Sequence, residues 1–325
     1  MTAPRADQTL ILVADIGGTN TRVALAEAGK LREASIRRFR NADYAGLETI
    51  LRHYIQAQSD SRCTGVCVAA AGPVRDGVAT MTNLDWTIDG AALTRATGTT
   101  HVAILNDLQA QGHALGHIAE DKLTRVVAGP GPAAHAAKLV IGVGTGFNAA
   151  PVHDTPFGRV VAASECGHVN LPVRNPDDLR LAQFVETAHG FPGVEDVLSG
   201  RGLERLYSFV SHEAGRPTEL TAAEIMADLT DDSSLAHKTA RLFTRLLGSE
   251  AGNLALIHLP FGGLYLCGGV ARAFAPHLAT MGFAEAFRDK GRFSGFMQNF
   301  AVSVIEDDYA ALTGCAVYLD RLARA

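Results

Sequence analysis

Polar residues able to do chemistry stand at the ends of several apolar runs. The run His101-Val102-Ala103-Ile104-Leu105 has the character of a buried strand and stops at Asn106-Asp107, ahead of a helical stretch over 108–119. Asp107 is thereby expected at a strand tip, where ligands of open α/β sheets collect and a carboxylate can act on a bound substrate. The competing role is mechanical, because Asn and Asp are preferred helix N-caps. A second run, 10–14, leads into Asp15-Ile16-Gly17-Gly18-Thr19-Asn20 and on to a strand over 21–26. Two glycines in such a turn let successive N–H groups point into one concavity that suits phosphate oxygens, with Thr19 and Asn20 as added donors. Asp15 would face those phosphates, and Mg²⁺ held largely through water relieves the repulsion. A plain tight hairpin would use the same glycines and asparagine.

A third run, 138–143, enters Gly144-Thr145-Gly146-Phe147-Asn148 and continues as a strand over 149–153, repeating the earlier order of strand, Gly-Thr turn and strand. The repeat implies two α/β halves of similar plan facing one nucleotide, each gripping it from its own side through a phosphate-type hairpin. The dinucleotide Gly-x-Gly-x-x-Gly is not matched by this turn, and no Gly-x-x-x-x-Gly-Lys-Ser/Thr occurs anywhere. A strand over 263–267 ends in Gly268-Gly269, a diglycine that lets a flat adenine or ribose approach the backbone. Glu165 and His168, three apart around a glycine in a polar loop, suit the adjacent hydroxyls of a polyol, or are incidental charge on a surface loop. Asn83 either reaches a ligand or fixes a turn. Glu195 stands near a helix start, where the helix dipole alone favours an acid.

Regular elements between these motifs must hold the residues in place. Further strands are expected over 34–39, 64–71 and 301–305, and helices over 43–58, 177–188, from near Thr221, 235–254 and from Asp307 to Leu322. The 43–58 helix would be capped by Asn41 or Asp43. Cys63 and Cys67 would share one side of a buried strand, and His113 and His117, one turn apart, read as a solvated helix face rather than a metal pair.

With 325 residues, 47% apolar and 19% charged, the chain is long enough for two globular domains. A net charge of −5 from 29 basic and 34 acidic residues, without blocks, provides no footprint for nucleic acid or an anionic membrane. No apolar run approaches the roughly 20 residues that span a bilayer, and 1–8 lacks a signal-peptide core, so a cytoplasmic location is expected. Five scattered cysteines read as reduced thiols.

Taken in order, Asp15-Ile-Gly-Gly-Thr-Asn, Asn106-Asp107, Gly144-Thr145-Gly146, Glu165-Cys-Gly-His168, Glu195 before Val-Leu-Ser-Gly and Gly268-Gly269-Val270 resemble the bacterial glucokinase family, a branch of the actin-like sugar-kinase ATPases. The resemblance runs from about residue 10 to 320 and includes Met81-Thr82-Asn83 and Lys290-Gly291-Arg292-Phe293. It implies two actin-like (ribonuclease H-like) α/β domains flanking a cleft, 1–107 with 307–325 and 108–306. It implies an enzyme transferring the γ-phosphate of ATP to the 6-hydroxyl of glucose, with Asp107 as general base. Asn83, Asn106, Gly146, Glu165, His168 and Glu195 would bind the sugar. The turns Gly17, Gly18, Thr19, Asn20 and Gly144, Thr145, Gly146 would hold the phosphates, with Mg²⁺ near Asp15, and Gly268 and Gly269 would lie along the adenosine. A homodimer is the expected assembly. Another hexose or an aminosugar (mannose, N-acetylmannosamine) is the alternative substrate, and a non-catalytic binding module the alternative role. The absence of a Cys-rich zinc motif and of a helix-turn-helix before residue 10 argues against a sugar-responsive repressor. Two positions depart from the family pattern: Cys166 would place a thiol between two sugar ligands, and Asn148 a bulkier group beside the second phosphate turn.

Overall fold

Strand β1, Leu10–Ile16, shows why the first sheet is buried on both faces. Leu12, Ala14 and Ile16 pack into one core, whereas Ile11 and Val13 pack into another. This side-to-side alternation is the period of two that a strand imposes. The computed structural model describes residues 10–58, 63–81, 84–131, 133 and 135–323. After β1 come β2 (Asn20–Glu27), β3 (Lys30–Leu31), β4 (Arg37–Arg40), α1 (Leu47–Ala57) and β5 (Gly65–Ala70). A small sheet of β6 (Val74–Arg75), β7 (Val78–Thr80) and β8 (Thr87–Asp89) precedes α2 (Gly90–Thr97), β9 (His101–Asn106) and α3 (Asp107–Ala114). The main sheet has the order β3-β2-β1-β5-β9, with β4 also on β2. β2 is antiparallel to β1, and β5 and β9 follow in parallel.

The second sheet is built from β10 (Leu123–Val127), β11 (Lys138–Val143), β12 (Phe147–Thr155), β13 (Gly158–Val161), β14 (Leu264–Cys267) and β15 (Val302–Ile305). Its helices are α4 (Pro176–His189), α5 (Gly200–Glu213), α6 (Ala222–Ala227), α7 (Leu235–His258), α8 (Gly269–Leu278) and α9 (Phe283–Arg288). The order is β10-β15-β14-β11-β12-β13. Here too an antiparallel hairpin, β11/β12, is followed by two parallel neighbours, β14 and β15. The α/β plan therefore occurs twice. In the second copy Leu139, Ile141 and Val143 share a core with Leu246 and Leu247 of α7, Phe274 of α8 and Phe287 of α9.

The chain forms two compact units, 1–119 with 307–325, and 120–306. Helix α3, placed by the sequence reading at the start of the larger domain, belongs to the smaller. The last helix, α10 (Ala310–Leu322), is the reason: Leu312, Cys315 and Ala316 share a core with Val13, Cys67 and Ala110, and the backbone of Ala110 stands where Gly314 would carry a Cβ.

Several expected elements shift. The strand expected over 34–39 is a short 3-10 turn, Glu33–Ser35, followed by β4. Helix α1 starts four residues late, at Leu47 after the N-cap Gly46, because Asn41 is used elsewhere. His113 is buried against the ring of Tyr318 at 4.8 Å rather than solvated, whereas His117 lies exposed beyond the helix end. Cys63 lies before β5 and packs with the core of Leu12, while Cys67 packs with Cys315 on the other face, so the two do not share a side. All five cysteines are free thiols.

Candidate functional site

In the first unit the parallel register sets Ile16, Ala70 and Asn106 side by side, so β1, β5 and β9 end together. Asp15 and Asp107 thus stand at one end of the sheet, two strands apart. Asn106 is the N-cap of α3: its Oδ1 accepts the Leu108 N–H (3.0 Å), the Gln109 side chain accepts its own N–H (3.0 Å), and its Nδ2 donates to the Gly72 carbonyl (3.0 Å). Asp107 is therefore not the N-cap, although it shares the Leu108 N–H with Asn106. It is the first helical residue, partly exposed, with Oδ1 accepting from the Leu108 N–H at 2.9 Å. Burial pushes its carboxyl up to about 6, the Leu108 N–H pulls the other way, and the charge of Asp15 adds to the rise. A carboxyl so poised is suited to proton transfer near neutral pH.

The hairpin Ile16–Asn20 is closed by the Gly17 N–H bonded to the Asn20 carbonyl at 3.0 Å, which leaves Gly18 and Thr19 exposed at its tip. It is fastened from outside by Asn41. That side chain donates to the Gly17 carbonyl (2.8 Å) and accepts from the Thr21 hydroxyl (2.8 Å), while its N–H donates to the Thr19 carbonyl (2.9 Å). The sequence reading gave Asn41 to a helix cap; a partner 24 residues away carries no local signal. Asp15 pairs with Arg22 at 3.3 Å, its cross-strand neighbour in the hairpin.

In the second unit, the Gly144 N–H donates to the Gly146 carbonyl (2.9 Å), and the Gly144 carbonyl accepts from the Gly200 N–H (2.8 Å) at the start of α5. Gly268 has a positive φ of 98°, and a Cβ there would meet the Val143 carbonyl oxygen at 2.5 Å, so only glycine permits this approach. Gly269 then opens α8 close beside Gly144. Two helix N-termini, those of α5 and α8, therefore lie against the glycine turn, adding positive dipole ends to an anion-binding geometry. The α5 contribution was not anticipated; its signal was Ser199-Gly200-Arg201-Gly202, with Ser199 as N-cap.

Glu195 does not lie in the first turn of a helix, since α5 begins five residues later. Its Oε2 accepts the Phe147 N–H at 2.8 Å and occupies the space beside Gly146, where a Cβ would lie 2.5 Å from it. The loop carrying Glu165 and His168 is laced to the loop carrying Glu195. The Glu195 N–H donates to the Gly167 carbonyl (2.8 Å), that of Val194 to Val169 (3.0 Å) and that of Leu171 to Pro192 (2.8 Å). Glu165 and His168 are exposed on this frame. Asn148 turns away from the phosphate turn: its Nδ2 donates to the Ser164 carbonyl and to Glu165 (3.1 Å), and its Oδ1 accepts from the Cys166 N–H (3.2 Å). Cys166 is half-buried, and burial raises its thiol. Asn83 lies outside the described residues. The structure thus gathers Asp15, Gly17–Asn20, Asn106 and Asp107 in one unit and Gly144–Gly146, Glu165, His168, Glu195, Gly268 and Gly269 in the other.

A family model described as Glucokinase matches residues 12–322. A glucokinase of Saccharophagus degradans is 33% identical over 321 residues, covering 96% of this chain and 98% of its own. A crystal structure of a glucokinase from an Antarctic psychrotroph superimposes with a TM-score of 0.84 at 31% identity, covering 95% of this chain and 98% of its own. The glucokinase of Balamuthia mandrillaris, solved in complex with glucose, shares the fold at a TM-score of 0.79 and 22% identity over 98% of this chain and 95% of its own. The twice-repeated α/β plan is that of the actin-like sugar kinases.

Proposed function

This chain belongs to the glucokinase family and phosphorylates glucose with ATP, and on that premise we propose that Asp107 takes the proton of the sugar 6-hydroxyl as its oxygen attacks the γ-phosphate. The observation that carries the assignment is the place of this carboxyl, directly after the Asn106 cap at the end of β9, where burial pushes it up to about 6. At neutral pH it is ionised yet close enough to neutrality to receive a proton, the optimum for a general base. Phosphoryl transfer otherwise needs positioning and charge neutralisation. The turns Gly17–Asn20 and Gly144–Gly146 offer N–H donors for phosphate oxygens, Gly268 and Gly269 leave room along the adenosine, and Glu165, His168 and Glu195 are the candidate binders of the sugar hydroxyls. Asn106 keeps one amide hydrogen for the sugar, and Asn83 is retained as a candidate from its sequence position.

Asp15 fits Mg²⁺ by the chemistry of its donor. It is a carboxylate beside a phosphate-type hairpin, and Mg²⁺ commonly takes one carboxylate, phosphate oxygens and water. When bound there, Mg²⁺ would neutralise charge on the transferring phosphate; Arg22 keeps the carboxylate paired at 3.3 Å. A cytoplasmic homodimer acting in glycolysis, without nucleic-acid or membrane partners, is our reading of its setting. The net charge of −5 supports it, and no described helix is long and apolar enough to cross a membrane.

The test is ATP consumption with glucose, mannose, N-acetylmannosamine and no sugar. Glucose should give the highest kcat/KM and the sugar-free rate should be near background. Asp107→Ala should lower kcat by about 10²- to 10⁴-fold while ATP still binds. Near-normal turnover in that variant removes Asp107 as the base.

A further inference from the structure

Within the second unit a cavity of about 1010 Å³ opens between α7 and the helices α4, α5 and α9, lined by none of the residues assigned above. One stripe of α7 runs along it, carrying Lys238, Arg241, Arg245 and Ser249 at helical spacing. Most of the charge around it is matched: Arg174 pairs with Asp289 (2.6 Å), Arg180 with Asp177 and Glu213 (both 2.8 Å), and Arg245 with the buried Asp178. Lys238 and Arg241 have no ionic partner among the described residues and stand exposed a turn apart, within reach of one dianion. Further along the stripe, about 12 Å from Arg241 by helical rise, Ser249 is only 4% exposed and its hydroxyl has no hydrogen-bond partner among the described residues. A buried polar group in that state is anomalous unless something supplies the missing bond. Glu285 of α9, which also lines the cavity, has no ionic partner among the described residues. Phe209 and Met281 give the wall between an apolar surface.

We propose that this cavity binds a hydroxyl-bearing phosphate monoester. The dianionic phosphate lies between Lys238 and Arg241, and the hydroxyls of its body bond to Ser249 and Glu285. Two unmatched cations suit a phosphate better than a monocarboxylate, and a buried hydroxyl with a carboxylate lining the same cavity suits a polyol better than a hydrocarbon.

The experiment is calorimetric titration of the full chain, saturated with glucose, using sorbitol 6-phosphate, inorganic phosphate and sorbitol as probes. Sorbitol 6-phosphate should bind at one equivalent, inorganic phosphate more weakly, and sorbitol not at all. The double variant Lys238→Gln/Arg241→Gln should weaken sorbitol 6-phosphate by more than about tenfold with kcat for glucose unchanged. Ser249→Ala should weaken it about threefold or more without lowering Tm, because the hydroxyl it removes has no partner in the fold. Equal affinity in the double variant, no heat at millimolar probe, binding of neutral sorbitol as tight as that of its phosphate, or a self-association that Lys238→Glu abolishes would each overturn the proposal.

Discussion

Replacing Asp107 by Asn should make the protein more stable while making it nearly inactive. Burial lifts the carboxyl from the ordinary 3.8 to about 6. Because the folded value is the higher one, the unfolded chain has already lost its proton between those pH values while the native state still holds it. Stability therefore falls as pH rises from about 4 to 6, and above 6 the full penalty of a desolvated carboxylate is present. At about 1.36 kcal/mol per pH unit the upper bound is about 3 kcal/mol. Partial exposure of Asp107 and loss of the charge-assisted bond from the Leu108 N–H reduce the expected gain for Asn to about 1.5 kcal/mol. At about 2–4 °C per kcal/mol, Tm at pH 8 should rise by about 3–6 °C. The assay is a pair of thermal melts at pH 8 and pH 4.5, with kcat measured alongside. A stabilisation at pH 8 that shrinks at pH 4.5, with kcat down by about 10²-fold or more, is the expected signature. A variant no more stable than the parent at pH 8, or a gain independent of pH, refutes the claim that Asp107 is held in its reactive state at the fold's expense.

In the unsubstituted enzyme, log(kcat/KM) for glucose should fall with unit slope below about pH 6, the value reached by Asp107; a profile flat down to pH 5 would contradict the assignment. Gly146→Ala forces a Cβ to within 2.5 Å of the Glu195 carboxylate, which must release the Phe147 N–H. Losing that charge-assisted bond should lower kcat/KM for glucose about 10- to 100-fold, and the same substitution should add little on a Glu195→Ala background. Asn41→Ala removes two side-chain bonds that hold the first hairpin. Thermal melts should show a loss of about 1–3 kcal/mol, and KM for ATP should rise; an unaltered KM would mean that the hairpin holds its shape without Asn41.

The strands and both glycine turns were legible because each is a local event: an apolar run of strand length, then residues that permit a tight reversal. The pairing of Asn106 with Asp107 leaves two roles open, and the structure makes Asn106 the cap and Asp107 the first helical residue, which shares the Leu108 N–H through one carboxylate oxygen. What stayed hidden depends on partners distant in the chain. Asn41 reaches Gly17 and Thr21, Glu195 reaches Phe147, and Asn148 reaches the loop at 164–166. Nothing in the residues flanking Glu195 distinguishes a helix-start acid from one that clamps a turn 48 positions earlier. His113 failed for a related reason: its burial comes from Tyr318 on a helix at the far end of the chain.

The two phosphate-type hairpins share a plan yet are secured by opposite means, and the difference predicts where each tolerates change. The first is held by a side chain that reaches in: Asn41 bonds to the Gly17 carbonyl and the Thr21 hydroxyl, while the glycine tip stays exposed. The second is held by neighbours occupying space that glycine vacates. The Glu195 carboxylate lies beside Gly146, the Val143 carbonyl against Gly268, and the Phe147 carbonyl against Gly167. A methyl group added at Gly17 comes no closer than 3.4 Å to its nearest neighbour, the Asn20 carbonyl oxygen, whereas one at Gly146 or Gly268 displaces a polar atom already bonded or packed. Substitutions at the second turn should therefore perturb the Glu195 and Glu165 loops together, because the interlocking N–H bonds at 167–171 and 192–195 transmit the displacement. Failure of Gly146→Ala to alter glucose binding would show that the turn and the candidate sugar-binding loops are not a single mechanical unit.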